Sequence, residues 1–205
     1  MAIPTVAIIG TCDTKLEELL YVHDQLTHVH NVQVKLIDVG RTPTSHPCIS
    51  ISQSTIFASS GLPGSSPDLS VLPRGEVIST LIAHTTPLLR SLHASGDIHA
   101  VISLGGSGGS SLAAGVMRAA LPLGFPKLIV STMAAGDVSA FVGETDLTMM
   151  YSVVDIAGLN DILCPILANA AGAIAGMARA YHTRLLSPSP PPSPTTNASP
   201  SACSA

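Results

Sequence analysis

Short runs of apolar residues alternate through most of the chain with longer segments in which apolar residues return every three or four positions. Ile3 to Ile9 is apolar almost throughout, the pattern of a strand buried on both faces. It leads into Gly10-Thr11-Cys12-Asp13-Thr14-Lys15. Leu16, Leu19, Leu20 and Leu26 then recur at helical spacing, with Asp13 or Thr14 suited to cap the helix and Glu17 and Glu18 in its first turn. Val32 to Val39 predicts a second strand, and Glu76 to His93 a second helix bent or divided at Pro87. Ala100 to Leu104 predicts a third strand, Ser110 to Ala120 a third helix, Lys127 to Thr132 a fourth strand and Thr148 to Val153 a short fifth. This alternation predicts an α/β fold: an open parallel sheet of about five strands with helices on both faces, right-handed crossovers, and ligands gathered at the carboxyl ends of the strands. Three loops should meet there, Gly10 to Lys15, Gly105 to Ser111 and Ser131 to Asp137.

Two segments break the pattern. Residues 41–74 are rich in Ser, Pro, Thr and Gly, with a brief alternation at Ile49 and Ile51, and predict a functional lid or disorder with some local structure. Residues 185–205 are mostly Ser, Pro, Thr and Ala and predict a disordered tail, leaving 1–184 as one Rossmann-like α/β domain expected to bind a nucleotide. Ile162 to Ala178 is apolar and carries Gly172-x-x-x-Gly176, but its small residues and the flanking Asp161 and Arg179 suit a helix packed on a sheet better than a membrane span.

Composition narrows the function. The chain is 46% hydrophobic and only 11% charged, with a mean hydropathy of +0.46, so part of its surface is expected to be covered by a second copy or a companion domain. Nine Lys and Arg against thirteen Asp and Glu, with no basic run, argue against nucleic acid. The N-terminus lacks a secretory pattern, and Cys12, Cys48, Cys164 and Cys203 show no paired spacing. A cytoplasmic location with reduced thiols is the expectation. The eight histidines show no metal-ligand spacing, and no metal site is predicted.

The candidate chemistry is anion binding. Gly105, Gly106, Gly108 and Gly109, interleaved with Ser107 and followed by Ser110 and Ser111, lie where a strand ends and a helix begins. Glycines there let backbone approach a ligand and aim helix-terminal N–H groups at a phosphate. The structural alternative is a tight turn or a close helix–strand contact. Neither this run nor the first loop is a Walker A sequence. Thr11, Asp13, Thr14 and Lys15 add hydroxyls, a carboxylate and an ammonium at a second helix start, where Asp13 and Thr14 also serve as plain caps. Cys12 there is read as a half-buried turn residue before a nucleophile. Ser131, Thr132 and Met133 offer donors for phosphate or ribose, and Asp137, Asp146 and Asp155 suit Mg²⁺ or sugar hydroxyls, or else caps and turns.

Taken together, Gly10 to Lys15, Gly105 to Ser110, Pro126-Lys127 with Val130 to Ala134, and Tyr151 to Asn160 resemble the ATP-binding family named for the tomato mosaic virus resistance protein. Leu167 to Ala171 and Ala175-Gly176-Met177 extend the likeness, which covers Ile3 to Val39 and resumes from Arg74 to about Ala180. The resemblance implies a Rossmann-like half-domain that binds ATP, with Thr11, Asp13, Thr14, Lys15, Gly106 to Ser110, Thr132 and Met133 lining the nucleotide site. It also implies a second α/β half, which this sequence does not show. A nucleotide module using ATP with Mg²⁺ is the first expectation. An interaction or oligomerisation domain, and an enzyme acting on a small phosphorylated metabolite, are the alternatives.

Overall fold

The computed structural model describes residues 3–62 and 67–187. Six strands, β1 (Thr5–Gly10), β2 (Gln33–Asp38), β3 (Ile49–Ile51), β4 (Ala100–Gly105), β5 (Lys127–Ser131) and β6 (Thr148–Tyr151), form one sheet in the order β3-β2-β1-β4-β5-β6. Every pairing is parallel. The helices are α1 (Cys12–Asp24), which ends in a π-helical turn (Gln25–Val29), α2 (Gln53–Ser59), α3 (Arg74–Ala94), α4 (Ser107–Ala120), the single-turn α5 (Ser139–Val142) and α6 (Leu163–Leu186).

The five strands expected from the apolar runs are present, and β3 is the sixth. It arises, with α2, inside the Ser-rich stretch 41–74, where Ile49 and Ile51 pair with β2, Ser52 caps α2 by accepting the Thr55 amide, and Ile56 and Phe57 are buried. The predicted tail lies outside the described residues from 188 onward.

Strand periodicity divides the core in two. Ala7, Ile9, Ile37, Val101 and Ile129 face α2, α3 and α4, whereas Val6, Ile8, Leu36, Ile102 and Val130 face α1 and α6. Glycines set the tightest packing. A Cβ on Gly115 would lie 2.6 Å from Ile82 Cδ1, and one on Gly108 2.6 Å from Arg74 Nη2, so α3 and α4 run side by side in the same direction. Pro87 sits inside α3 without dividing it.

Among the described residues α6 is the one helix long and apolar enough to cross a membrane. Its apolar stripe is used by the sheet, since Leu167, Ala170, Ala171, Ile174, Ala175 and Ala178 are fully buried there.

Polar groups at the amino edge of the sheet are satisfied internally. Lys127 is buried, and its ammonium donates to the Pro122 and Phe125 carbonyls, both at 2.8 Å, and to Asp146 Oδ1 at 2.7 Å. His99 Nδ1 accepts the Thr5 amide at 3.0 Å, and its ring stands 4.3 Å from that of His182 on α6.

Two outcomes follow. At Gly10 a Cβ would come within 2.3 Å of the buried Leu19 side chain. Gly10→Ala should therefore cost about 1–3 kcal/mol in urea unfolding; an unchanged midpoint would contradict this packing. Burial, and then the neighbouring His182, lower the proton affinity of His99 below its ordinary value. The unfolded chain then binds the proton more readily, so stability is full above about pH 6.5 and declines as the pH falls below it. His99→Gln should flatten that decline in unfolding midpoints measured across the range, and an equal slope in both proteins would count against the assignment.

Candidate functional site

In the strand order seen here the winding reverses between β1 and β4, and the turns that follow those two strands diverge to leave a crevice at the carboxyl edge. A cleft of about 480 Å³ occupies it, in the size range of small-molecule sites. Thr11, Asp13, Thr14 and Lys15 line it from the β1 side, and Gly105 to Gly109 from the β4 side. Arg41, Arg74, Val77, Ile78 and Leu81 complete the wall, with Asp155 at its far rim.

The glycine run is less a loop than a helix start. α4 begins at Ser107, three residues before the predicted position, so Gly108 and Gly109 lie in its first turn. None of Gly105, Gly106, Gly108 and Gly109 has a positive φ; their use is close approach. A Cβ on Gly105 would stand 3.3 Å from Gly109 Cα. No side chain caps this end, and within the turn the Ser110 amide is the first to bond back, to Gly106 O at 2.9 Å. The amides ahead of it are the orphan donors every helix leaves at its start, and they border the cleft. Arg74, at the head of α3, lies across this turn and donates to Ser107 Oγ at 3.3 Å. The guanidinium and the positive end of α4 face the same space.

The other helix start is furnished in the opposite sense. Asp13 Oδ2 accepts the amides of Arg41 and Thr42, each at 3.0 Å, and its Oδ1 is buried. Asp38, fully buried at the end of β2, accepts from the amides of Cys12 (3.2 Å), Gly40 (2.9 Å) and Thr44 (3.1 Å). Two carboxylates thus hold the β2–β3 loop over α1. Burial first, and then Asp38 and Asp13, push the Cys12 thiol far above its ordinary range, which excludes a thiolate nucleophile at neutral pH. Thr11 and Thr14 pair their hydroxyls at 3.0 Å. Lys15, whose φ of −134° kinks α1, donates to the Ile156 carbonyl, while Glu18 accepts the Gly158 amide at 2.7 Å. These ties fix the loop that carries Asp155. Within it Val153 adopts φ +65° in a γ-turn closed by the Val154 amide on Ser152 O at 2.7 Å, a strained conformation for a β-branched residue.

The remaining predicted residues do not line the cleft. Ser110 and Ser131 are both fully buried and join their hydroxyls at 2.6 Å, fastening α4 to β5. Thr132 donates its amide to Gly105 O at 3.3 Å, Met133 is exposed beside it, and Asp137 accepts the Ser139 amide at the start of α5. Arg41, Arg74 and Asp38 were missed by the sequence reading. A lone arginine in a Ser/Pro-rich stretch carries no local signal, although Asp38 at the carboxyl end of a predicted strand was a readable position.

The arrangement defines a doubly wound α/β domain with a cleft at its switch point, flanked by one acidic helix start and one cationic helix start. Residues 4–183 match the model described as Uncharacterised protein family (UPF0261) N-terminal domain, and the chain belongs to that family. A UPF0261 protein of Clostridium tetani (strain Massachusetts / E88) is 38% identical over 176 residues, covering 85% of this chain and 42% of its own length. Another, from Mesorhizobium japonicum, is 39% identical over 185 residues, covering 90% and 43%. The ToMV susceptible protein tm-1(GCR26) of Solanum lycopersicum is 33% identical over 191 residues, covering 85% and 25%. The chain therefore spans about two fifths of the bacterial relatives and a quarter of the tomato one. Among solved structures FerB, a flavoenzyme NAD(P)H:(acceptor) oxidoreductase from Paracoccus denitrificans, aligns at a TM-score of 0.41 and 13% identity over 87% of this chain and 99% of its own, a likeness too slight to inform function.

Cys12 gives a direct check of the packed α1 start. A maleimide added to the native protein should modify the half-buried Cys48 and Cys164 and leave Cys12 unmodified until the chain is denatured. Rapid native labelling of Cys12 by peptide mass spectrometry would contradict the burial described.

Proposed function

We propose that the cleft binds a nucleotide, ATP with Mg²⁺, with its phosphates on the first turn of α4. The observation that carries this reading is the uncapped α4 start lying beneath the Arg74 guanidinium on the wall of an open cleft. Backbone donors, a helix dipole and a planar cation converging on one space are the usual means of holding a phosphate chain. The resemblance of Gly10 to Lys15 and Gly105 to Ser110 to the motifs of an ATP-binding family points the same way.

Asp13 and Asp137 are the carboxylates first suited to act as a base; Asp13 Oδ2 is occupied by two backbone amides while its buried Oδ1 has no partner among the described residues, and Asp137 lies outside the cleft. Positioning a water for attack needs a free acceptor close to the transferred phosphoryl group. We place the protein in the cytoplasm.

A second reading draws on Met133, Tyr151 and Val153, exposed apolar side chains at the β5–β6 end of the same sheet edge. They suit a second copy or a further α/β unit packed beside β6, with the cleft nearby.

Calorimetric titration of ATP, with and without Mg²⁺, tests the first reading. Saturable binding is expected, weakened by at least about tenfold in Arg74→Ala. Gly108→Val should weaken it comparably without unfolding the chain, because the atoms nearest to an added Cβ belong to the flexible end of Arg74. Absence of binding, or full affinity in both variants, would overturn the site.

A further inference from the structure

We infer that the cleft selects a mononucleotide whose base lies on α3, and that it is closed to dinucleotides. This rests on the nucleotide reading above and deepens it. In a sheet of this strand order a dinucleotide occupies both halves of the crevice: one nucleotide follows β1, its pyrophosphate on the first helix start and its ribose on an acidic side chain at the end of β2, and the other follows β4.

Here the ribose position of the β1 half is taken by the protein itself. Asp38 is the acidic side chain in the ribose position, but it is fully buried and both its oxygens are engaged by the amides of Cys12, Gly40 and Thr44. The β2–β3 loop that supplies two of those amides lies across the turn, with the Val39 amide on Gly10 O at 2.9 Å. It packs tightly on both carboxylates: a Cβ on Gly40 would be 2.7 Å from Asp13 Oδ1 and 3.0 Å from Asp38 Oδ1. A pyrophosphate at the start of α1 would also face two carboxylates, Asp13 and Asp38, in place of open amides. Like charges in a partly buried site are strongly repulsive.

The β4 half is open and graded. Its α4 end is cationic, with Arg74 over the first turn. Arg41, on the same wall, has its guanidinium occupied by the carbonyls of Leu69 (3.0 Å), Ser70 (2.7 Å) and Leu72 (2.9 Å). Lys15, on the opposite side of the cleft, is tied to the Ile156 carbonyl, and Arg74 is the cation that lies on the α4 turn. Along α3 from Arg74 the wall becomes apolar through Val77, Ile78 and Leu81, backed by Leu112. A flat aromatic base set on that wall and a phosphate chain set on α4 match the two ends of this gradient, and the ribose acceptor a second nucleoside would need, Asp38, is already engaged.

The test is calorimetry on the full chain with ATP, inorganic tripolyphosphate, NAD⁺ and NADPH, in the native protein and in Ile78→Ser, with thermal melts to confirm that the variant folds. ATP and tripolyphosphate should bind and the two dinucleotides should not. Ile78→Ser should weaken ATP by about tenfold or more and leave tripolyphosphate unchanged. Nuclear Overhauser contacts from the adenine protons to methyl-labelled Val77, Ile78 and Leu81 give a second readout that does not depend on the variant. Binding of NAD⁺ or NADPH as tight as ATP would overturn the inference, as would adenine contacts elsewhere or an ATP affinity indifferent to Ile78→Ser, while the nucleotide reading stood. Silence from both ATP and tripolyphosphate would bring down the nucleotide reading itself, and this placement with it.

Discussion

A parallel sheet buried on both faces is the constraint from which the rest of this molecule follows. Each strand must be apolar on alternate residues toward two helical layers at once, and the chain meets that demand with Val6, Ile8, Ala7 and Ile9 on β1 and the corresponding residues of β4 and β5. Right-handed crossovers then place α1 and α6 on one side and α3 and α4 on the other, and the reversal between β1 and β4 leaves a crevice that no hydrophobic contact closes. Polar groups forced to the edge of such a sheet must find partners inside the fold. Asp38, Glu18, Ser110 and Ser131 do so at the carboxyl edge, as Lys127 does at the other.

The two helix starts that flank the crevice show how the same backbone feature serves opposite ends. At α1 the Cys12 amide and the overlying loop are held by carboxylates, and the result is a rigid joint. At α4 the glycines keep side chains away, the donors stay open, and the nearest charged group is a cation. One is clasped by the loop over it and the other is left uncapped, although both begin with small and hydroxyl residues.

Much of this was legible beforehand because the strands announce themselves. A run such as Ala100 to Leu104 has few other places to go in a folded protein than a doubly covered strand. The short β3 was not legible, since Ile49-Ser50-Ile51 has too few residues to stand out from its Ser-rich surroundings and owes its conformation to pairing with β2. The start of α4 was placed late because glycine is a poor helix former, and here packing against β4 and α3 overrides that preference. Arg74 escaped notice for a different reason. Its importance comes from α3 lying beside α4, a tertiary relation that no local spacing records. Ser110 and Ser131 illustrate the reverse error: both are hydroxyls at the correct edge, but each turns inward to the other.

The central pairing of the sheet has a kinetic consequence. β1 and β4 join residues as far apart as Thr5 and His99, 94 positions along the chain, so the middle of the sheet cannot close until nearly half the sequence is available. Closing so long a loop is entropically slow, and contacts of this range are associated with slow folding. On a ribosome the β1–β2–β3 portion would emerge first with one edge of β1 unpaired and its apolar faces incompletely covered, waiting for α3 and β4. The crevice is therefore among the last features to exist: it appears when β4 docks, and a chain interrupted before that point has half of each wall and no site at all.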